Sequence, residues 1–181
     1  RVKGTRSLVD ALFKLKNRPE VLVSMSGADF YGDTGDDAKT ETDRAGDTFL
    51  ADVCKLWEAE ARRAEDAGIR TVVLRTGMVL SKDGGALAAM LTPFKFGVGG
   101  VIGSGKQWMS WISIDDMIRV IEFAVENDAL RGAVNAVSPK PVTNEEFTKT
   151  LGEAVYRPTF IPLPEFAVNL ALGVFNFESP Y

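Results

Sequence analysis

Two serine hydroxyls at the end of the first apolar run are the side chains best placed for chemistry. The run Val21–Met25 is typical of a buried strand, and it leads into the segment SMSGADFYG at residues 24–32. In doubly wound sheets, ligands bind beyond the carboxyl ends of the strands. A hydroxyl there can hydrogen-bond a substrate oxygen or orient a proton donor. The alternative interpretation is that Ser24 and Ser26 satisfy backbone groups where the strand ends.

A second candidate region runs from residue 75 to residue 116 and combines glycine clusters with Trp108 and Trp111. Its glycines are concentrated at positions 84–85 and again between positions 97 and 105. Such clusters mark tight turns or places where the backbone closely approaches another group. Two interpretations remain open, a loop that lines a ligand cleft and a pair of long surface turns.

Histidine is absent from the 181 residues, and this excludes several kinds of chemistry together. A Ser-His-Asp triad, a histidine general base and a histidine-based metal site all need an imidazole. The single cysteine, Cys54, excludes an internal disulfide and is compatible with a reducing compartment. Because Cys54 falls within a helical pattern, we interpret it as an inert thiol. Asp115 and Asp116 are adjacent and would diverge on a helix, so we interpret Asp115 as a helix cap.

Charge and hydropathy narrow the choice of partners. The formal net charge of −4 argues against nucleic acid, which favours a basic surface. The sequence contains no run of 18 apolar residues, so we predict no membrane span. It opens at Arg1 within a helical pattern and without an initiator methionine, and it stops at Tyr181 without a cap. We therefore expect an internal piece of a longer chain.

The first half of the chain alternates helical and strand patterns. Leu8, Leu12 and Leu15 share one face of a predicted helix over residues 1–16. A helix over residues 49–67, with Leu50, Val53, Trp57 and Ala61 at helical spacing, is capped by Asp47 or Thr48 and ended by Gly68. Strands are predicted at residues 21–25 and 69–74. The alternation predicts an α/β fold with a parallel sheet.

In the second half of the chain, the predicted helices and strands alternate less regularly. Ser113 or Asp115 is predicted to cap a helix with Met117, Val120, Ile121, Ala124 and Val125 inward, and Thr143 with Glu146 forms a capping-box pattern. The remaining predicted elements are a helix at 86–94, an extended segment at 107–114, a strand at 133–137, an extended segment at 156–164 and a helix at 165–175.

Five motifs in a fixed order carry a resemblance to a known family. They are SMSGADFYG (24–32), FLADVCKLWEAEA (49–61), VVLRTGMVLSKDGGALAAML (72–91), PFKFGVGGVIGSGKQWMSWISIDDM (93–117) and GAVNAVSPKPVTNEEFTKTLG (132–152). The chain resembles the extended short-chain dehydrogenase/reductase superfamily, in its NAD-dependent epimerase/dehydratase-like branch, whose members are sometimes labelled cell-division inhibitors. The resemblance covers nearly all of the chain.

The resemblance implies a fold and a domain division. It implies part of a doubly wound Rossmann-type parallel sheet with a smaller α+β lobe on the substrate side. Residues 1–80 would complete the dinucleotide-binding domain, and residues 81–181 would form most of the lobe, with 107–137 returning to the Rossmann domain. The family's N-terminal glycine-rich turn, which holds the pyrophosphate, and its C-terminal region have no counterpart in this sequence.

The resemblance also implies which residues form the site. Ser26 matches the catalytic serine or threonine of the superfamily. The cofactor, NAD or NADP with NADP favoured, would border Ser24, Met25, Arg75, Thr76 and Gly77. The substrate cleft would include Gly99, Gly100, Trp108, Trp111 and Asp115, with Gly103 in the same wall. No metal site is implied.

The catalytic tyrosine and lysine of the superfamily are missing from the matching helix. In relatives they stand four residues apart on one helix face, where the ammonium lowers the phenol pKa. Here the helix begins Phe49-Leu50-Ala51, and Lys55 has no tyrosine four residues before it. Tyr31 is the nearest spare phenol, either as a proton donor or as a packed side chain. We therefore carry two hypotheses: an epimerase or reductase acting on an unknown small polar substrate, and an inactive dinucleotide-fold protein serving as a structural or redox-sensing subunit of a larger assembly.

Overall fold

The computed structural model describes residues 1–159, which form five helices and seven strands in this part of the chain. The helices are α1 Val2–Lys14, α2 Phe49–Arg62, α3 Gly85–Lys95, α4 Ile114–Glu126 and α5 Asn144–Ala154. The strands are β1 Val21–Gly27, β2 Arg70–Thr76, β3 Met78–Leu80, β4 Trp108–Met109, β5 Trp111–Ser113, β6 Gly132–Ala136 and β7 Val142–Thr143. The helix predicted at 165–175 lies outside the described residues. None of the described helices is long and apolar enough to cross a membrane.

The chain divides into two compact units. Within the described residues, unit 1 comprises residues 1–77 and 112–137, and unit 2 comprises residues 78–111 and 138–159. Unit 1 contains a parallel sheet in the order β1-β2-β6. Helix α2 packs on α1, β1 and β2, and α4 packs on β1. The predicted α/β fold with a parallel sheet is confirmed.

The core of unit 1 is built around the central strand. Residues 71–75 of β2 are all buried, as expected for a strand covered on both faces. Beneath it Val9, Ala64 and Ile69 form a fully buried cluster, and Leu12 packs against them. The predicted apolar face of α1 is buried only in part, because Leu8 and Leu15 are exposed. Val9, the residue after Leu8, is the one that is fully buried.

The buried face of α2 differs in a similar way from the prediction. Its ends are as expected, with Thr48 capping the amide of Ala51 and Gly68 at φ +77° after a final 3₁₀ turn. The buried residues, however, are Ala51, Cys54, Glu58 and Ala61 rather than Leu50, Val53 and Trp57. The inward face thus carries small residues and one carboxylate, which lets α2 approach the sheet closely.

Helix α4 is capped by a hydroxyl rather than by a carboxylate. Ser113 Oγ accepts a hydrogen bond from the Asp116 amide at 3.0 Å, while Asp115 lies exposed in the first turn. Met117 and Ala124 are buried as predicted, but Val125 is exposed, so that part of the predicted inward face is wrong.

Unit 2 is organised around the first turn of α5. The predicted capping box is confirmed: the Thr143 hydroxyl accepts from the Glu146 amide and the Glu146 carboxylate accepts from the Thr143 amide. Strands β4 and β7 pair antiparallel just before this helix. Asn144 Oδ1 accepts from the Ile102 amide at 2.8 Å, and Gly105 accepts from the Glu145 amide at 2.9 Å. These contacts fix the glycine-rich segment against the helix start.

Candidate functional site

Three polar residues form one row across the sheet of unit 1, close to its carboxyl edge. Ser26 of β1 is in register with Arg75 of β2, which is in register with Asn135 of β6. In a parallel sheet, residues in register project to the same face. The row therefore presents a hydroxyl, a guanidinium and an amide side by side, and α2 covers the Ser26 and Arg75 end.

A buried ion pair joins α2 to this row. Arg75 donates from Nε to Glu58 Oε1 at 2.9 Å and from Nη2 to Glu58 Oε2 at 3.0 Å, and the two side chains are 4 % and 5 % exposed. Ser26 Oγ donates to the same Oε1 at 2.9 Å. A bidentate pair of this kind is strong and directional, and its hydrogen bonds offset part of the cost of removing both charges from water.

Tyr31 extends the network towards the third strand. Its phenolic oxygen accepts from Arg75 Nη1 at 3.0 Å and donates to Asn135 Oδ1 at 2.7 Å. The guanidinium carbon also lies 3.3 Å from the Phe30 ring centre, so the cation is stacked on an aromatic face. Arg75 thereby links β1, β2, α2 and the turn that follows β1. The prediction that Tyr31 is catalytic stays a prediction, and its hydroxyl makes both contacts here.

The acidic loop between β1 and α2 contacts the same edge of the sheet. The Glu41 carboxylate accepts a hydrogen bond from the backbone amide of Asn135 at 2.8 Å, on the side of β6 that does not face β2. The Glu41 carbonyl accepts from Arg75 at 3.4 Å, and the Lys39 carbonyl accepts from Asn135 Nδ2 at 3.5 Å. The loop is therefore tied to two members of the polar row.

The surroundings shift two titration equilibria. Burial alone would lower the pKa of Arg75, but hydrogen bonds with Glu58 and Tyr31 and attraction to the Glu58 charge outweigh it and raise the pKa. Burial raises the pKa of the Cys54 thiol, against the opposite effect of hydrogen bonds with the Gly27 backbone and the Ser26 side chain. Arg75 is thus a permanent cation, and Cys54 is a neutral thiol at neutral pH.

The other predicted cofactor residues lie at or near the same edge. Ser24 is buried two residues before Ser26 in β1, and its hydroxyl donates to the Met25 carbonyl at 3.3 Å. Met25 projects outward and is 36 % exposed. Thr76 Oγ1 donates to the Leu74 carbonyl at 3.2 Å, and the Gly77 amide donates to the Ala136 carbonyl at 3.4 Å.

The predicted cleft residues are divided between the units. Asp115 belongs to unit 1, whereas the predicted glycines and tryptophans belong to unit 2. Gly99 and Gly100 are buried, and a Cβ on Gly99 would stand 2.5 Å from the Phe94 ring. Trp108 is 47 % exposed. Gly99 thus serves close packing within its own unit.

Trp111 belongs to an apolar pocket of unit 2. Its indole Nε1 donates to the Lys140 carbonyl at 3.1 Å. The pocket has a volume of about 240 Å³ and is lined by aliphatic and aromatic side chains with one hydroxyl: Leu80, Leu87, Trp111, Val142, Phe147, Thr150, Leu151 and Ala154.

The sequence analysis does not single out two residues of this hydrogen-bond network, Glu58 and Asn135. Glu58 continues the spacing of Ala51 and Cys54, and this pattern could have indicated a carboxylate on the inward face of α2, which otherwise carries small residues. For Asn135 the indication is weaker: it is the polar residue of an otherwise apolar strand. Within residues 1–159, no three histidine, cysteine or acidic side chains are grouped as a metal site requires.

The parallel sheet with its helices, and the polar residues at the carboxyl edge of that sheet, assign this chain to the class of Rossmann-type α/β proteins. The family model described as "NAD dependent epimerase/dehydratase family" matches residues 1–136, and the chain belongs to this family. It is 45 % identical over 159 residues to epimerase family protein ML0860 of Mycobacterium leprae, covering 88 % of this chain and 52 % of that protein. It is 39 % identical over 174 residues to epimerase family protein YfhF of Bacillus subtilis, covering 96 % and 57 %.

A solved structure agrees with this assignment. The crystal structure of human epimerase family protein SDR39U1 (isoform 2) with NADPH matches with a TM-score of 0.86 at 36 % identity, covering 94 % of this chain and 58 % of that one. The chain thus spans between about half and three-fifths of the length of these relatives.

Proposed function

We propose that the whole protein binds NADP(H) and transfers hydride to or from a small polar substrate, as an epimerase or reductase. The observation that supports this most directly is the Ser26 hydroxyl, held by a buried Glu58–Arg75 pair beside the carboxyl ends of two parallel strands. Ligands of doubly wound sheets bind at that edge. A serine fixed there is suited to orient a reacting oxygen.

The residues at the edge fit the nicotinamide end of a dinucleotide. Every nitrogen of Arg75 is hydrogen-bonded within the network, so this residue would border the cofactor through its backbone, together with Thr76 and Gly77. When bound, the nicotinamide supplies the hydride acceptor or donor. The human relative crystallised with NADPH favours NADP over NAD.

In this proposal each side chain at the edge has one role. Ser26 would contact the substrate oxygen. The Glu58–Arg75 pair would hold Ser26, and Tyr31, whose oxygen accepts from Arg75, would be the phenol available for proton transfer. The Arg75 guanidinium donates a hydrogen bond to this phenol oxygen at 3.0 Å. This arrangement would substitute for the missing tyrosine–lysine pair.

The test compares Ser26→Ala with Ser7→Ala in the whole protein, because Ser7 lies exposed on α1. NADPH affinity is measured by nucleotide fluorescence, and turnover is measured on a panel of polar alcohols and ketones. We expect Ser26→Ala to keep the affinity within about 2-fold and to lose about 10²- to 10⁴-fold in rate, while Ser7→Ala is unchanged. A protein that binds NADPH and turns over no member of the panel would contradict catalysis and support the non-catalytic alternative.

A further inference from the structure

The loop between β1 and α2 has no hydrophobic core of its own. Residues 33–46 contain no apolar side chain larger than alanine, and most of them are exposed to solvent. A segment with so few buried apolar contacts belongs to the part of a protein that opens most easily. The loop is therefore held in place by its hydrogen bonds.

The two ends of the loop are held together at its base. The Gly46 amide donates to the Phe30 carbonyl at 2.9 Å, and a Cβ on Gly46 would lie 2.5 Å from the Tyr31 carbonyl oxygen. Gly32, which precedes the loop, has φ +68°, a conformation that favours glycine. Residues 33–46 thus form a compact Ω-type loop on a fixed base.

Within residues 1–159, one short hydrogen bond holds the tip of the loop, residues 39–41, to the sheet. The Glu41 carboxylate accepts from the backbone amide of Asn135 at 2.8 Å. The carbonyls of Lys39 and Glu41 make longer contacts with the sheet, at 3.5 Å and 3.4 Å. Both lie beyond the usual range for a hydrogen bond from nitrogen to oxygen. The Glu41 side chain therefore makes the main contact between the loop and β6.

We propose that Glu41 is a latch that keeps residues 33–46 closed over the polar row, and that its release opens the Tyr31 hydroxyl to a ligand. Arg75 and Asn135, to which the tip is bonded, are both hydrogen-bonded to that hydroxyl. The inference rests on the proposed function for the use of Tyr31 in proton transfer. It adds a conformational step that controls access to this residue.

The charge of the loop favours opening once the latch is released. Residues 33–46 carry five acidic and two basic side chains, and segments with an excess of one charge repel themselves and extend. The turn at the tip does not depend on the sheet, because Asp43 accepts from the Thr40 amide at 2.7 Å within the loop. Opening therefore moves the tip away from β6 without unfolding this turn.

Opening of the latch is measured in the whole protein by amide hydrogen exchange at Asn135 and by limited digestion with trypsin. Trypsin is suited to this test because Lys39 and Arg44 flank Glu41. We expect Glu41→Ala to accelerate both processes by about 10- to 100-fold, the factor that corresponds to a lost hydrogen bond with a charged group. Asp47→Ala removes the same charge from an exposed position just beyond the loop, and we expect it to change both rates by less than about 2-fold.

Two further measurements separate the latch from general stability. Glu41→Gln keeps an oxygen that can accept from the Asn135 amide but lacks the charge, so we expect a smaller acceleration of about 3- to 10-fold. Exchange at Val73, which is fully buried in β2, reports global unfolding and should be the same in every variant. Equal rates at Asn135 in Glu41→Ala and the wild type would overturn the latch. A matching acceleration at Val73 would show a global effect and would overturn it as well.

Access to Tyr31 is measured by nitration with tetranitromethane. Tyr156 is the internal reference, because it is 88 % exposed. We expect Glu41→Ala to raise nitration of Tyr31 relative to Tyr156 by at least about 3-fold, since modification then proceeds through the open loop. NADPH affinity is measured separately by nucleotide fluorescence. A protein that binds no NADPH would contradict the proposed function, whereas an unchanged nitration ratio in a variant that binds NADPH would overturn this inference alone.

Discussion

The polar row of unit 1 and the glycine-rich segment of unit 2 use unusual residues in opposite ways. In unit 1 the charges and hydroxyls are buried and bonded to one another through Arg75. In unit 2 the glycines allow backbone and rings to pack closely, and the pocket beside Trp111 is apolar. The buried charged and hydroxyl side chains of unit 1 therefore form a fixed hydrogen-bond network. Gly99 of unit 2 serves close packing instead.

The largest difference is expected when the buried pair of unit 1 is broken. Arg75→Met removes the bidentate partner of the buried Glu58 carboxylate and leaves it the Ser26 hydroxyl and the more distant Arg62, so we expect a loss of about 3–5 kcal/mol in the free energy of unfolding of the whole protein. Denaturant unfolding measures this loss. Replacing both partners by methionine should restore most of it, since no lone charge then remains.

The matched control lies in unit 2. Glu145→Gln removes an exposed ion pair with Lys149, which we expect to change stability by at most about 0.5 kcal/mol. An Arg75→Met loss as small as this one would mean that the buried pair contributes nothing beyond a surface contact, and the contrast between the units would fail.

Packing in unit 2 is tested at Gly99. An added Cβ would stand 2.5 Å from the Phe94 ring, so Gly99→Ala is expected to cost about 1–3 kcal/mol. Gly84→Ala is the control, because no atom beyond its own chain neighbours lies within 4 Å of its Cβ position. Thermal unfolding compares the two. If Phe94→Leu does not recover part of the Gly99→Ala loss, the ring is not the cause.

Helix capping should not distinguish the two units. Thr143→Ala in unit 2 and Ser113→Ala in unit 1 each remove a hydroxyl that caps a helix, and we expect each to cost about 1 kcal/mol. Thr143→Ser should be nearly neutral. Widely different values would show that the surroundings of the caps, and not the shared cap chemistry, set the cost.

The smallest effect at neutral pH is expected from Cys54. Because its pKa is raised in the folded protein, its contribution to stability is intact below the unfolded thiol pKa, and it is lost as the pH rises through the folded value. Alkylation by iodoacetamide should be slow at pH 7 in the folded protein and should accelerate only at alkaline pH. Urea-unfolded protein, which reacts with an ordinary thiol pKa, is the control, and equally fast alkylation in both states would refute the burial.

The sequence predicts the architecture of unit 1 because its strands and helix ends depend on local patterns. The apolar runs of β1 and β2, the Thr48 cap and Gly68 are all read within a few residues. The helix faces are less predictable. Whether Val9 or Leu8 faces inward, and whether α2 presents Glu58 or Trp57, depends on which element packs against the helix.

The candidate site is predictable in part for a related reason. Ser26 and Arg75 stand at strand ends, and strand ends meet at one edge of a parallel sheet. Their link through Glu58 requires the register of β1 with β2 and the rotation of α2, and both are tertiary properties. The network through Tyr31 and Asn135 joins residues 104 positions apart in the sequence, and no local pattern encodes that pairing.

In the proposed function, the polar row at the edge of β1 and β2 holds the reacting end of the cofactor and substrate. The decisive measurement is the crystal structure of the whole protein with bound NADPH. We expect the nicotinamide ring beside Ser26 and against the backbone of residues 75–77. A nicotinamide bound elsewhere, or one separated from Ser26 by packed side chains, would contradict it.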